Sequence, residues 1–133
     1  MQTVDIAAIR AQIKSNISAV LSSFEVYDYE PKNKTYPSAT VSWPTELDPR
    51  VTQAGGVDMT IPVTFEVMWI GDESSDQTLM DAMEAAVNAI ETDRTLNSEV
   101  CDLSCGPFIG IGPRVLPDER VLMMFTVPVE ILI

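Results

Sequence analysis

The chain contains no histidine. That absence removes the Ser/His/Asp and Cys/His pairs of nucleophilic catalysis, imidazole metal ligation and the usual general base near neutral pH. Basic residues are scarce too: 8 Lys and Arg stand against 20 Asp and Glu, giving a net charge of −12 and a pI near 4.1. A surface built to grip phosphate is excluded by that balance. No apolar run is long enough to span a bilayer, so the chain reads as soluble with no membrane partner. Residues 1–5 are acidic rather than basic, so no secretory signal is expected and the protein is expected to act where it is made.

Thiols are also few. Cys101 and Cys105 are the only two, separated by Asp102, Leu103 and Ser104, one residue more than a thioredoxin-type pair allows. Zinc would need two further soft ligands from the same chain. Two reduced structural cysteines are the expectation, with a local disulfide before Gly106 left open. Gly106, Gly110 and Gly112 are spaced wrongly for a dinucleotide loop, and Asp72, Glu73 and Asp76 do not match a calcium-binding loop. Acids before a helix account for the latter group through the helix dipole. Nothing in the sequence selects a pair of carboxylates for catalysis, so no catalytic residue, metal ligand or cofactor is expected.

What is present is strong patterning. With 133 residues and 46 % apolar content, the chain is sized for one domain, 1–133, with a single core. Residues 4–23 read as a helix with Thr3 as N-cap and Asp5 in its first turn; Ile6, Ile9, Ile13, Ile17, Val20, Leu21 and Phe24 form its apolar stripe. The opposite side is Ala8, Ala11, Ser15, Ser18, Ala19 and Ser22, small and uncharged, which suits either solvent or a neighbouring subunit. A second helix is expected over 76–92, started by Ser74 or Ser75, with Leu79, Met83, Ala86, Val87 and Ile90 inside. Asp81, Glu84, Asn88 and Glu91 then face water or a charged cavity.

Strands are expected between and after the helices. Two short ones, 24–30 and 39–43, are bounded by Pro31, Pro37 and Pro44. Residues 57–70 alternate strictly, with Val57, Met59, Ile61, Val63, Phe65, Val67 and Trp69 on one face. Residues 108–116 and 120–133 flank the turn Pro117, Asp118, Glu119 and read as a hairpin. Strands this long should bulge, bend or project from the body. Pro62 and Pro128 interrupt them in the similar strings TIPVTFEV and TVPVEILI; each is expected at an edge or bulge where pairing passes to solvent or another chain. The strings are too short to establish an internal repeat. Residues 44–56 read as a long loop.

The order helix, short strands, long strand, helix, hairpin predicts an α+β two-layer sandwich. Both helices would pack on one face of a mostly antiparallel four- to five-stranded sheet. Along its whole length the chain resembles the tail terminator proteins of long-tailed (siphovirus-type) bacteriophages. The likeness lies in the first amphipathic helix, YPSATVSWP, VDMTIPVTFEVMWIGD, the helix SSDQTLMDAMEAAVNAI and the closing VLMMFTVPVEILI. The resemblance implies a non-enzymatic virion component, assembled in the host cytoplasm as a hexameric ring at the head-proximal end of the tail. Its partners would be its own copies, the tail tube protein and a head completion or connector protein, with DNA passing through unbound. Under that reading Ala8, Ala11, Ser15, Ser18, Ala19, Pro62 and Pro128 become candidate subunit-interface residues. Arg50, Arg114 and Arg120 become candidate inter-subunit ion pairs, and Asp72, Glu73, Asp76, Asp81, Glu84 and Glu91 a candidate acidic lumen or solvent face. Another neck protein joining head to tail, or a small dimeric ligand-binding domain, remain the alternatives.

Overall fold

The computed structural model describes residues 5–47, 58–69, 73–96, 100 and 102–132. In chain order they form α1 (Ile6–Val20), β1 (Glu25–Tyr27), β2 (Ser38–Val41), β3 (Glu46–Leu47), β4 (Asp58–Trp69), α2 (Glu73–Glu91), β5 (Asp102–Cys105), β6 (Ile109–Val115) and β7 (Val121–Leu132). The fold is α+β, as expected. The sheet is larger than expected, with seven strands among the described residues ordered β1-β2-β4-β7-β5, while β3 pairs with β4 and β6 with β7. It is mostly antiparallel, as expected, with one parallel pairing, of β1 with β2. A parallel neighbour needs a crossover, and residues 28–37 supply it.

Both helices are shifted from their expected limits. Thr3 lies outside the described residues, and Asp5 is the N-cap of α1, its Oδ1 accepting the Ala8 N–H at 3.0 Å. The helix ends at Val20, so Val20 sits 47 % exposed at the turn toward β1 instead of in the core. Ile9, Ile13, Ile17 and Leu21 are buried, with Ile6 and Phe24 packed partly against them. In the middle of this stripe stands Arg10, only 8 % exposed. Its guanidinium donates to the carbonyls of Asp28, Val41 (2.9 Å) and Ser42 (3.1 Å) and stacks on Trp43 at 4.4 Å. It thereby fastens α1 to the ends of β1 and β2. α2 starts three residues earlier than expected, so Ser74 and Ser75 are inside it; Leu79, Ala82, Ala86, Ala89 and Ile90 are buried.

β4 and β7 pair antiparallel over twelve residues each, from Asp58 opposite Leu132 to Trp69 opposite Val121. Their helix-facing rows, Met59, Ile61, Val63, Phe65 and Val67 with Phe125, Val127, Val129 and Ile131, join the buried residues of both helices in one core. Burying each such side chain contributes roughly 1.5–3 kcal/mol. At the centre Phe65 stacks on Phe125 with centroids 4.9 Å apart, and Phe24 and Phe108 meet this pair edge-on.

Pro62 and Pro128 correct the sequence expectation, since they stand opposite each other in the two inner strands. The Pro62 carbonyl accepts from Ser42 N–H at 3.0 Å and the Pro128 carbonyl from Gly106 N–H at 2.8 Å, so both residues point outward, away from each other. Theirs is a non-hydrogen-bonded pair that needs no N–H from either. Each missing donor faces a break in the outer strand, between β2 and β3 on one side and between β5 and β6 on the other. The strand of another chain therefore has no place beside either proline. Apart from β1 and its crossover, which only the first half has, each half of the chain runs helix, broken outer strand, long inner strand, and the two similar strings occupy matching places.

β5 and β6 together form one bulged partner for β7. A register shift falls between Ile109 and Gly112, where Gly110 takes φ +65°, a conformation glycine adopts without strain. Among the described residues no helix is long and apolar enough to cross a membrane.

Candidate assembly surfaces

Three surfaces of different character result. On the outer side of α1, Ala11, Ser15, Ser18, Ala19 and Ser22 are exposed and Ala8 is half-buried, so the uncharged strip lies on the surface as its spacing predicts. On α2, Asp81 and Glu84 are exposed, while Glu91 is drawn inward and accepts the Cys105 N–H at 3.1 Å. Glu91 thus belongs to the β5 edge rather than to an open acidic face. Glu73 and Asp76 are in the first turn of α2, where acids favour the helix dipole; Asp72 and Arg50 lie outside the described residues.

The third surface is apolar and was not singled out by the sequence. The helix-facing row of the sheet runs past the helices toward the β6–β7 turn. Along β4 exposure rises from 0 % at Phe65 through 5 % at Val67 to 37 % at Trp69. Trp69 is opposite Val121, and Val121 is opposite Val115, which is 68 % exposed. Pro113, opposite Met123, shares that face. β6 is also an edge strand, with Pro113 and the Gly110 bulge interrupting its free side.

Opposite the helices, the crossover 28–37 covers a polar cluster. Glu66, 1 % exposed, receives Lys34 Nζ at 2.8 Å on Oε1 and Arg114 Nη1 at 3.1 Å on Oε2. Lys34, itself 7 % exposed, also meets Glu30 at 2.6 Å. Burial works against the Lys34 ammonium, and the hydrogen bonds and attraction from Glu30 and Glu66 outweigh it, holding its pKa above the ordinary 10.5. Ser38 Oγ and Thr40 Oγ1 are buried nearby without hydrogen-bond partners, and the hydroxyls of Thr64 and Thr126 are 3.1 Å apart. Glu66 falls on the row of β4 that alternation assigns to solvent, and the only local hint of its burial is the pair of prolines bounding the crossover.

Two of the three candidate arginines, Arg114 and Arg120, have partners within the chain. Arg114 holds Glu66, and Arg120 holds Asp118 at 2.6 Å in the exposed hairpin turn. The Arg120 N–H and side chain keep the Asp118 carboxyl below its usual pKa. Arg94 makes a bidentate pair with Asp102 at 2.8 and 3.0 Å, and lowers its pKa likewise. Beside it, a groove of about 480 Å³ lies where β4 begins and β7 ends, with Thr60, Ser104 and Glu130 in its wall. Among the described residues, no three His, Cys, Asp or Glu side chains gather as a metal ion would need. Cys105 is a free, half-buried thiol; burial first, then the nearby Glu91 carboxylate, push its pKa up to about 12. Cys101 lies outside the described residues.

No family model and no curated protein matches the sequence. Among solved structures, the chain is similar to one from the virion of a native gene transfer agent particle. The two are 13 % identical, the match covers 96 % of this chain and 99 % of that one, and the TM-score is 0.47. At that level of likeness, function has to be argued from the surfaces themselves.

Proposed function

We propose that this chain is a non-enzymatic structural protein of a phage-type virion. In the finer reading it assembles as a ring on the end of the tail tube, stops further tube polymerisation and offers its other side to a head connector. One observation carries the reading: a chain of charge −12 leaves exposed a strip of small uncharged residues on α1 and the apolar Trp69 and Val115 at the end of the sheet. Apolar area left in water on one subunit marks a contact to be made. Acidic copies repel one another wherever their charged surfaces approach, so self-assembly would use the neutral ones. The exposed Asp81 and Glu84 on α2 would then face solvent or a lumen, where carboxylates repel DNA phosphates and let the duplex pass unheld.

The resemblance of the sequence to tail terminators supports the end of the tube as the place of action in this reading. Native mass spectrometry of the full chain, alone and with purified tail tubes, tests this. A ring, hexameric under this reading, is expected in at least one condition, with tubes overrunning their normal length when the gene is deleted. A strict monomer or dimer in both conditions overturns the assembly reading. Normal tube length after deletion, with heads left unjoined, moves the role to head–tail joining.

A further inference from the structure

We propose that the crossover 28–37 is a strap over the polar side of the sheet, latched by the Lys34–Glu66 pair, and that it lifts as a unit while the helices and the rest of the sheet stay folded. Lifting uncovers the hydroxyls of Ser38 and Thr40 beside Glu66. The strap thereby controls access to that side of the sheet in the single chain, whatever the chain assembles with.

The strap contributes nothing to the hydrophobic core. No residue from 28 to 37 belongs to that core, no apolar one packs against it, and none of the ten forms helix or strand. Both ends are fixed: the Asp28 carbonyl accepts from Arg10, and the Pro37 carbonyl accepts from the Glu25 N–H at 3.0 Å. Between those ends, among the described residues, two polar ties hold the strap down, Lys34 Nζ on Glu66 Oε1 at 2.8 Å and the Thr35 N–H donating to Tyr27 Oη at 3.1 Å. Tyr29 meets Tyr27 edge-on yet stays 61 % exposed. Lys34 is the one deep anchor, 7 % exposed, and reaches water only with the strap lifted. A segment with so few apolar contacts and hydrogen bonds opens at a lower free energy than the core beneath it.

The charges are arranged so that unlatching strands none of them. Lys34 leaves together with Glu30, four residues earlier in the strap and 2.6 Å away, and its ammonium gains water. Glu66 keeps Arg114, which reaches it from β6 at 3.1 Å. Ser38 is opposite Glu66 and Thr40 opposite Thr64, so both lie on the side that the strap covers. They are 0 % and 4 % exposed, and their hydroxyls have no hydrogen-bond partner under the closed strap; lifting it lets water reach them, which favours the open state. Against that stands the charge-assisted bond from Lys34 to Glu66, and this pair sets the balance.

Trypsin reads the latch, because the Lys34–Thr35 bond is cut only when the Lys34 side chain is free to enter the protease's pocket. The full chain is digested at low protease, where opening outpaces cutting, in urea from zero to just below the unfolding transition, and the cuts are assigned by mass spectrometry. In the parent, cleavage after Lys34 should be nearly independent of urea and at least about a hundredfold faster than global unfolding allows. Glu66→Gln should raise it about thirtyfold by weakening the latch. Ser38→Ala/Thr40→Val should lower it about tenfold, since the hydroxyls that gain from opening are gone. Parent cleavage that follows the global unfolding curve overturns the strap, and this measurement decides the matter even if Glu66→Gln does not fold. Cleavage of a folded Glu66→Gln variant no faster than that of the parent overturns the latch. A Ser38→Ala/Thr40→Val variant cut as fast as the parent overturns the part assigned to the two hydroxyls.

Discussion

Replacing Glu66 by leucine should destabilise the protein far more than its place on the polar row of β4 suggests. The carboxylate is 1 % exposed and holds Lys34 at 2.8 Å and Arg114 at 3.1 Å. Arg114 is 49 % exposed and can turn to water, so losing its bond costs under about 1 kcal/mol. Lys34 is 7 % exposed and has nowhere to turn; its other partner, Glu30, is 68 % exposed and screened by solvent. Breaking a buried pair from one side costs about 3–5 kcal/mol, because the remaining charge is stranded. The expected loss for Glu66→Leu is therefore about 3–4 kcal/mol, a large part of the 5–15 kcal/mol typical of a domain. With a urea slope of about 2 kcal/mol per molar, the midpoint should fall by nearly 2 M.

The double variant Glu66→Leu/Lys34→Met removes both charges and should return to within about 1 kcal/mol of the parent or exceed it. Urea titrations of the parent, Glu66→Leu, Lys34→Met and the double variant, followed by circular dichroism, give the coupling directly. A single variant within about 0.5 kcal/mol of the parent, or a double variant as unstable as the single, would refute the assignment of the loss to a stranded ammonium. The pH dependence is a second check. The folded pKa of Lys34 lies above 10.5, so its contribution is complete below 10.5 and drains away as pH rises through the folded value. The parent should lose stability above that pH more steeply than the double variant.

Three further outcomes are expected. Arg10→Met should cost about 2–4 kcal/mol by leaving the carbonyls of Asp28, Val41 and Ser42 without their donor, and Arg10→Lys should recover only part, since a point cation cannot reach all three; thermal unfolding reads both. Gly106→Ala brings a Cβ within 2.9 Å of Pro128 Cγ and should cost about 1–3 kcal/mol, whereas Gly112→Ala meets nothing within 4 Å and should change stability by under about 0.5 kcal/mol. In a Cys101→Ser background, Cys105 should react with a thiol reagent at pH 8 only after unfolding, because its pKa of about 12 leaves almost no thiolate; equal rates in native and denatured protein would contradict its burial.

The sequence by itself determined the elements whose periodicity is long enough to be unambiguous. The apolar stripe of α1, the strict alternation from Met59 to Val67 and the turn at Pro117 follow from local geometry, and the structure keeps all three. The neutral strip of α1 is legible for the same reason, since 3.6-residue spacing places Ala11, Ser15 and Ser18 on one side whatever the rest of the chain does. β5 escaped that reading because four residues, DLSC, carry too little pattern, and its strand character comes from pairing with Leu132 to Val129.

Tertiary structure alone decided the rest, because it depends on residues far apart in the chain. Arg10 interrupts an apolar stripe and is stable there only because three carbonyls from β1, β2 and their exits converge on it. Pro62 and Pro128 look like edge residues one strand at a time; their mutual register makes the missing donors harmless in the sheet's interior. Glu66 reads as a solvent residue until the crossover lays Lys34 over it. Trp69 reads as core by alternation, yet it is 37 % exposed at the end of the row that buries Phe65 and Val67. Alternation fixes which face a side chain occupies, whereas burial depends on what the rest of the chain brings to that face.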